Sequence, residues 1–169
     1  MNQQQQMESI LPEHYIRSLD YPNYDVSSWG NIRNRITGKI LKQSTSNGYK
    51  VVGIDGYGTK SVHRLVACAF LNNSENKKNV DHKNRDKTNN NIINLRFATH
   101  VENGQNMSKR NNNTSGIVGV VWYKRDKKWR VQIMVNKKRL HLGLFVNFDE
   151  AIKVRKEAEV KYFGEFQAK

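Results

Sequence analysis

Residues 80–103, VDHKNRDKTNNNIINLRFATHVEN, decide how this sequence is read. Val80-Asp81-His82 has strand character, an asparagine-rich loop follows, and Leu95-Arg96-Phe97-Ala98 is a second strand. A helix is predicted from about 99 to 109, with Thr99 as its cap and Glu102 three residues on, the spacing of a capping box. Four residues in this frame carry chemistry: Asp81, His82, Asn94 and Asn103. Hydrolysing a phosphodiester needs a base to activate water, a cation to neutralise charge on the phosphate, and a group to orient the base. His82 suits the base, because imidazole titrates near working pH. Asp81 offers the hard oxygen that Mg²⁺ or Mn²⁺ prefers, and Asn103 adds an amide carbonyl from the helix. Asn94 is expected to hold the histidine ring through a side-chain or backbone bond, fixing its tautomer.

Upstream, Val62–Phe70 (VHRLVACAF) places Val62, Leu65, Val66, Ala69 and Phe70 on one helical face. Cys68 is the only cysteine, so no internal disulfide forms, and its apolar surroundings predict a buried structural thiol. His63, beside Arg64, is expected on the helix surface or against a phosphate, and His100 on the surface of the later helix. Before this helix, 8–61 shows short strand-like runs at 24–26, 30–34 and 49–54, and Asp55-Gly56-Tyr57-Gly58 is a hairpin turn.

Downstream, a polar linker (111–114) leads to a module at 115–166. Three strands are predicted, Val118–Tyr123, Trp129–Val135 and Arg139–Phe145, followed by a helix from Phe148 to about Tyr162. Alternation puts Trp129, Val131, Ile133 and Val135 of the second strand, and Leu140, Leu142 and Leu144 of the third, on the helix side. Trp122 and Trp129 are read as core. The other side carries Val121, Tyr123, Arg130, Gln132, Met134, Arg139 and His141. Residues 114–148 hold 8 basic side chains and one acidic, so the charge belongs to the sheet.

The whole chain of 169 residues carries +14, and the excess rises along it: +2 over 1–61, +5 over 62–110 and +7 over 111–169. Such a balance calls for a polyanionic partner. With 37% hydrophobic residues, several small cores fit better than one large one. No apolar run reaches the roughly 20 residues of a membrane helix, and no secretory signal opens the chain. Residues 1–7 form a low-complexity polar tail. These features predict an intracellular protein with no membrane association.

The segment VHRLVACAF…VDHKNRDKTNNNIINLRFATHVENGQN (about 62–107) resembles the HNH endonucleases of the phage homing type, with their ββα-metal site. The resemblance implies a metal-dependent DNA endonuclease with Asp81-His82 on the first strand, Asn94 before the second, and the last ligand, Asn103, on the helix. Bacterial toxin versions carry histidines at the helix metal positions; here Asn103 stands there, with Met107 one turn on. One cation, Mg²⁺ or Mn²⁺ rather than Zn²⁺, is the expectation. The segments YPNYDVSSWGNIRN, ITGKILKQ and GYKVV resemble the small module that often precedes such nucleases, which implies either a DNA-contacting extension through Arg33, Arg35 and Lys39 or a structural brace. Arg64 is a further candidate DNA contact. SGIVGVVWYKRDKKWRVQI, LHLGLF and FDEAIKVRKEAEVKYFGEF resemble the Apetala-two/ethylene-response-factor DNA-binding domain. That resemblance adds Arg125 to the face listed above and implies readout of a major groove. The expectation is an α+β fold in three modules: a β-rich module at 8–61, a ββα nuclease core at 62–110, and a three-stranded antiparallel sheet packed on one helix at 115–166. It is expected to act as a monomer on double-stranded DNA. The alternative is a sequence-specific DNA-binding regulator whose nuclease module is only a scaffold.

Overall fold

A computed structural model describes residues 12–106 and 113–166. The expected tail, Met107 and linker residues 111–112 lie outside that range. The fold mixes small antiparallel sheets with few helices and divides into two compact units, with the break after His100. Among the described residues no helix is long and apolar enough to cross a membrane.

The first unit holds two three-stranded antiparallel sheets, β1 (Tyr15–Arg17), β2 (Tyr24–Ser27) and β3 (Ile32–Asn34), then β4 (Ser44–Ser46), β5 (Tyr49–Ile54) and β6 (Gly58–Ser61). The turn expected at 55–58 joins β5 to β6, with Ile54 opposite Gly58. Helix α1 (Val62–Phe70) follows directly, and β7 (Asn79–His82) pairs with β8 (Leu95–Ala98) as an antiparallel hairpin. Nine residues are too few for a helix to stand alone in water, and Ser61 at its N-cap makes no side-chain bond. Burial holds it instead. Val62, Leu65 and Val66 pack among Tyr24, Val26 and Ile32 of the first sheet, Val52 and Ile54 of the second, and Val80 and Leu95 of the hairpin. Residues on both sides of the 61/62 boundary expected from the sequence thus share one core. Cys68 corrects an expectation: it is exposed, on the outer face of α1 four residues after exposed Arg64.

The break falls after the first residue of α2 (His100–Gln105), and the second unit continues as β9 (Val120–Tyr123), β10 (Lys128–Val135), β11 (Lys138–Phe145) and α3 (Phe148–Phe163). Strand β10 lies between the other two. Asn147 caps α3, its Oδ1 accepting from Asp149 N at 2.7 Å and Glu150 N at 3.2 Å. The helix packs Ala151 and Ala158 onto Val120, Val131 and Ile133. Arg155, almost fully buried, reaches Val118 O with Nε at 2.7 Å and pairs with Glu159 at 3.0 Å.

The alternation expected for β11 fails part-way. A bulge opposite Val131/Gln132 shifts the register, so Gly143 faces Val131, Leu144 faces Arg130 and Phe145 faces Trp129. Leu144 therefore belongs to the sheet side away from the helix, 37% exposed, and Phe145 takes the core place expected of it. Gly143 makes the bulge possible. Its φ is +139°, and a Cβ there would meet the Phe145 ring at 2.8 Å. Trp122 also departs from expectation: it sits on edge strand β9 at 41% exposure, its ring edge-on to Trp129, which packs on Phe148.

Candidate active site

The β7–β8 register sets the site. Asp81 lies directly opposite Arg96, and His82 opposite Leu95. Arg96 gives both Nε (2.8 Å) and Nη2 (2.7 Å) to Asp81 Oδ2. Both side chains are nearly buried, so the desolvation of two charges is offset by two charge-assisted bonds. Sequence reasoning used Arg96 only as part of a strand. Its signal was an opposite charge at the cross-strand position of a hairpin.

His82 is buried, with its Nε2 3.1 Å from Asn90 Oδ1. The Asn90 amide nitrogen reaches Thr88 O at 3.4 Å, which turns Oδ1 toward the ring. Nε2 is then the donor and Nδ1 carries the lone pair, a tautomer assigned from this hydrogen-bond pattern. Burial holds the imidazole below its ordinary pKa, opposed by the Asn90 bond and by the carboxylates of Asp81 and Asp86.

Asn94 does not hold the ring as expected. It lies in a 3-10 turn, Ile92–Asn94, and its side chain turns back into the loop. Oδ1 accepts from Asn84 N at 3.0 Å, Nδ2 donates to Asn89 O at 2.8 Å, and its carbonyl accepts from Lys83 N at 2.8 Å. Asn94 thus ties the loop from 83 to 94 across its base, and Asn90 holds the ring. Asn90 is in turn backed by the first sheet. Gly30 approaches so closely that a Cβ there would lie 2.9 Å from Asn90 Cβ, and Ile92 N donates to Ser28 O at 2.8 Å.

His63 is the second correction. It is buried on α1, not on the surface, and its ring meets His82 edge-on at 5.2 Å between centroids. Tyr49 of β5 lies 4.9 Å from the His63 ring and 6.0 Å from that of His82. Burial, and then the neighbouring His82 and Arg64 charges, push His63 down to about 4, so it stays neutral near pH 7. The helical pattern held the clue, since positions three and four residues on are Val66 and Ala67, both buried.

Of the expected DNA contacts in this unit, Arg33 and Arg35 both pair with Asp25, at 2.8 and 3.1 Å, while remaining part-exposed. Lys39 and Arg64 are exposed, and Arg64 Nη1 reaches Lys78 O at 3.3 Å. Asn103 lies on α2, in the second unit. There the sheet side away from α3 carries the row Val121–Arg130–Leu144 and the pairs Gln132–His141 and Met134–Arg139. Tyr123 has the guanidinium carbons of Arg125 and Arg130 each 5.2 Å from its ring centre, and Arg125 also pairs with Asp126 at 2.8 Å.

Residues 60–105, which hold the hairpin, both loop asparagines and α2, match the family model described as HNH endonuclease. The segment that holds Asp81 and His82 is thus similar to HNH endonucleases. Residues 13–55, just before that segment, match the NUMOD4 motif. The chain is 43% identical over 98 residues to an uncharacterized HNH endonuclease, L247, of Acanthamoeba polyphaga mimivirus, covering 54% of this chain and 24% of the relative. It is 40% identical over 92 residues to the DNA endonuclease I-HmuI of Bacillus phage SP01, covering 52% of this chain and 53% of the phage protein. The chain thus spans from about a quarter to about half the length of these relatives. A solved structure of I-HmuI, described as an HNH homing endonuclease that binds and cleaves DNA, superposes with a TM-score of 0.50. That match has 25% identity and covers 87% of this chain and 88% of the other.

Proposed function

We propose that this chain is a divalent-metal-dependent DNA endonuclease of the homing type, with His82 as its general base. The observation that carries the reading is a buried His82, oriented through Nε2 by Asn90, beside the Asp81–Arg96 pair within the segment similar to HNH endonucleases. With Nε2 donating, Nδ1 is the atom that takes the proton from the attacking water. Asp81 and Asn103 supply oxygen donors for one hard cation. Among the described residues no group of three or more His, Cys, Asp or Glu could hold a metal ion. A donor set of one carboxylate and one amide suits Mg²⁺ or Mn²⁺, completed by phosphate and water, better than Zn²⁺. Such an ion, when bound, stabilises charge on the scissile phosphate and the leaving oxygen. Asn94 keeps the loop closed so that His82 stays at its mouth. Arg96 holds Asp81 oriented through its two bonds to Oδ2.

The sheet of the second unit is the DNA-binding surface, in the manner of the Apetala-two/ethylene-response-factor domain it resembles. Arg125, Arg130 and Arg139 meet the phosphates, and Gln132, His141, Val121, Tyr123 and Met134 meet base edges. Arg33 and Arg35 are secondary phosphate contacts, since Asp25 already offsets part of their charge. The partner is double-stranded DNA inside the cell, engaged by a monomer with one active site, and the division of labour follows modules at 8–61, 62–110 and 115–166. Supercoiled plasmid incubated with the purified protein and Mg²⁺ should become nicked, and chelator should stop it. Binding without any nicking in Mg²⁺ or Mn²⁺ would replace the nuclease by a DNA-binding regulator.

A further inference from the structure

The three-ring cluster of Tyr49, His63 and His82 lies outside every role assigned above except that of His82 itself. We propose that His63 is a positioning residue for the nuclease centre: its ring edge, with Tyr49 behind it, holds the His82 imidazole in the orientation from which it acts. The inference rests on His82 being the base.

Three observations support a role through the ring. The first is mutual contact, with centroid separations of 4.9, 5.2 and 6.0 Å closing a triangle of side chains from β5, α1 and β7. Asn90 fixes His82 at Nε2, at one edge of its ring. The edge-on His63 ring adds a non-bonded wall that limits how the imidazole turns about that bond. The second observation is that His63 Nδ1 is buried and makes no hydrogen bond among the described residues. Nδ1 of His63 thus makes no polar link, and what its ring presents to His82 is an edge contact. The third is neutrality. A cation at this position would oppose the proton that His82 takes up, and burial keeps His63 uncharged. Tyr49 completes the bracket, with the Lys87 ammonium 4.6 Å from its ring centre.

The sequence could not show this arrangement. Tyr49 precedes His63 by 14 positions and His82 follows by 19, and only the shared core of the first unit brings α1 against the hairpin.

The test is single-turnover cleavage of supercoiled plasmid in Mg²⁺, with DNA affinity and thermal unfolding measured on the same full-length preparations. His63→Ala should slow cleavage by about 10- to 100-fold while affinity stays within about threefold, because misplacing the base costs rate and not binding. His63→Phe, which keeps a ring, should recover most of the rate. His63→Gln, which keeps a polar group without the ring, should stay slow, and Tyr49→Leu should show a smaller loss of the same kind. If folded His63→Ala or His63→Gln cleaves within about threefold of wild type, the inference fails. It fails equally if His63→Phe is as slow as His63→Gln. His82→Ala serves as the control. An active His82→Ala protein would remove the base assignment itself, whereas an inactive His82→Ala beside a fully active His63→Gln would remove only the bracket.

Discussion

Asp81, His82 and Asn103 were read as candidate site residues from the chemistry of their type: a hard carboxylate, an imidazole near its titration range and an amide on a helix. Asn90 was not. It is the middle of three consecutive asparagines, Asn89 to Asn91, and only the fold says which one meets the ring. His63 was misread for a related reason, since a histidine beside an arginine at a helix start looks solvated until the helix is seen packed. Two predictions belong here. Asn103→Ala should weaken cleavage in Mg²⁺ and be partly rescued by high Mn²⁺, with DNA binding little changed; a variant as active as wild type at low Mg²⁺ would remove Asn103 from the metal site. His63 also bears on stability. Its pKa is held near 4 in the fold against about 6.5 unfolded, so the unfolded chain binds more protons between these values. Stability is full above about pH 6.5 and falls as pH drops toward 4, by on the order of 1–2 kcal/mol from this one ring after allowing for residual solvent contact. Denaturant melts at pH 7 and 4.5 should show that difference shrinking in His63→Phe.

At the scale of elements, patterns that depend on one period read well and those that depend on a break in period did not. Strands β10 and β11 and helix α3 begin and end within a few residues of expectation, and the turn at 55–58 is where glycines predict it. The bulge at β11 inverted the face of Leu144, because a two-residue alternation carries no mark of an inserted residue. Strands β1 and β4 are three residues each, and β4 is Ser-Thr-Ser, with no apolar alternation to detect. In the β7–β8 hairpin the decisive contact is Asp81–Arg96. Arg96→Met should lower stability by about 3–5 kcal/mol, because it strips the guanidinium from a buried carboxylate. The double variant Asp81→Asn, Arg96→Met should recover much of that loss in thermal melts while remaining inactive. A single Arg96→Met variant as stable as wild type would show that the pair does not brace the hairpin.

For the whole molecule, the positive excess and the proposed chemistry are segregated along the chain. Asp81, His82 and Asn94 sit where the two N-terminal sheets and α1 share a core with the hairpin, while the largest positive excess lies beyond 110. Composition pointed to a polyanionic partner through the net charge of +14. How 13–55 supports the site was not, because it acts through Gly30 and Ser28 pressing on Asn90 and Ile92. If the second unit's sheet is the DNA surface, substituting both Arg130 and Arg139 by Gln should weaken binding and flatten the slope of log affinity against log salt by up to about two phosphate equivalents. An unchanged slope would place the phosphate contacts elsewhere.

The central claim is that His82 is the general base of a nuclease, and its most direct measurement compares wild type with His82→Ala in single-turnover plasmid cleavage, with affinity measured on the same DNA. The account predicts a rate loss of roughly 10²–10⁴ with affinity held within a few-fold. A His82→Ala protein that binds equally well and cleaves within tenfold of wild type would contradict it.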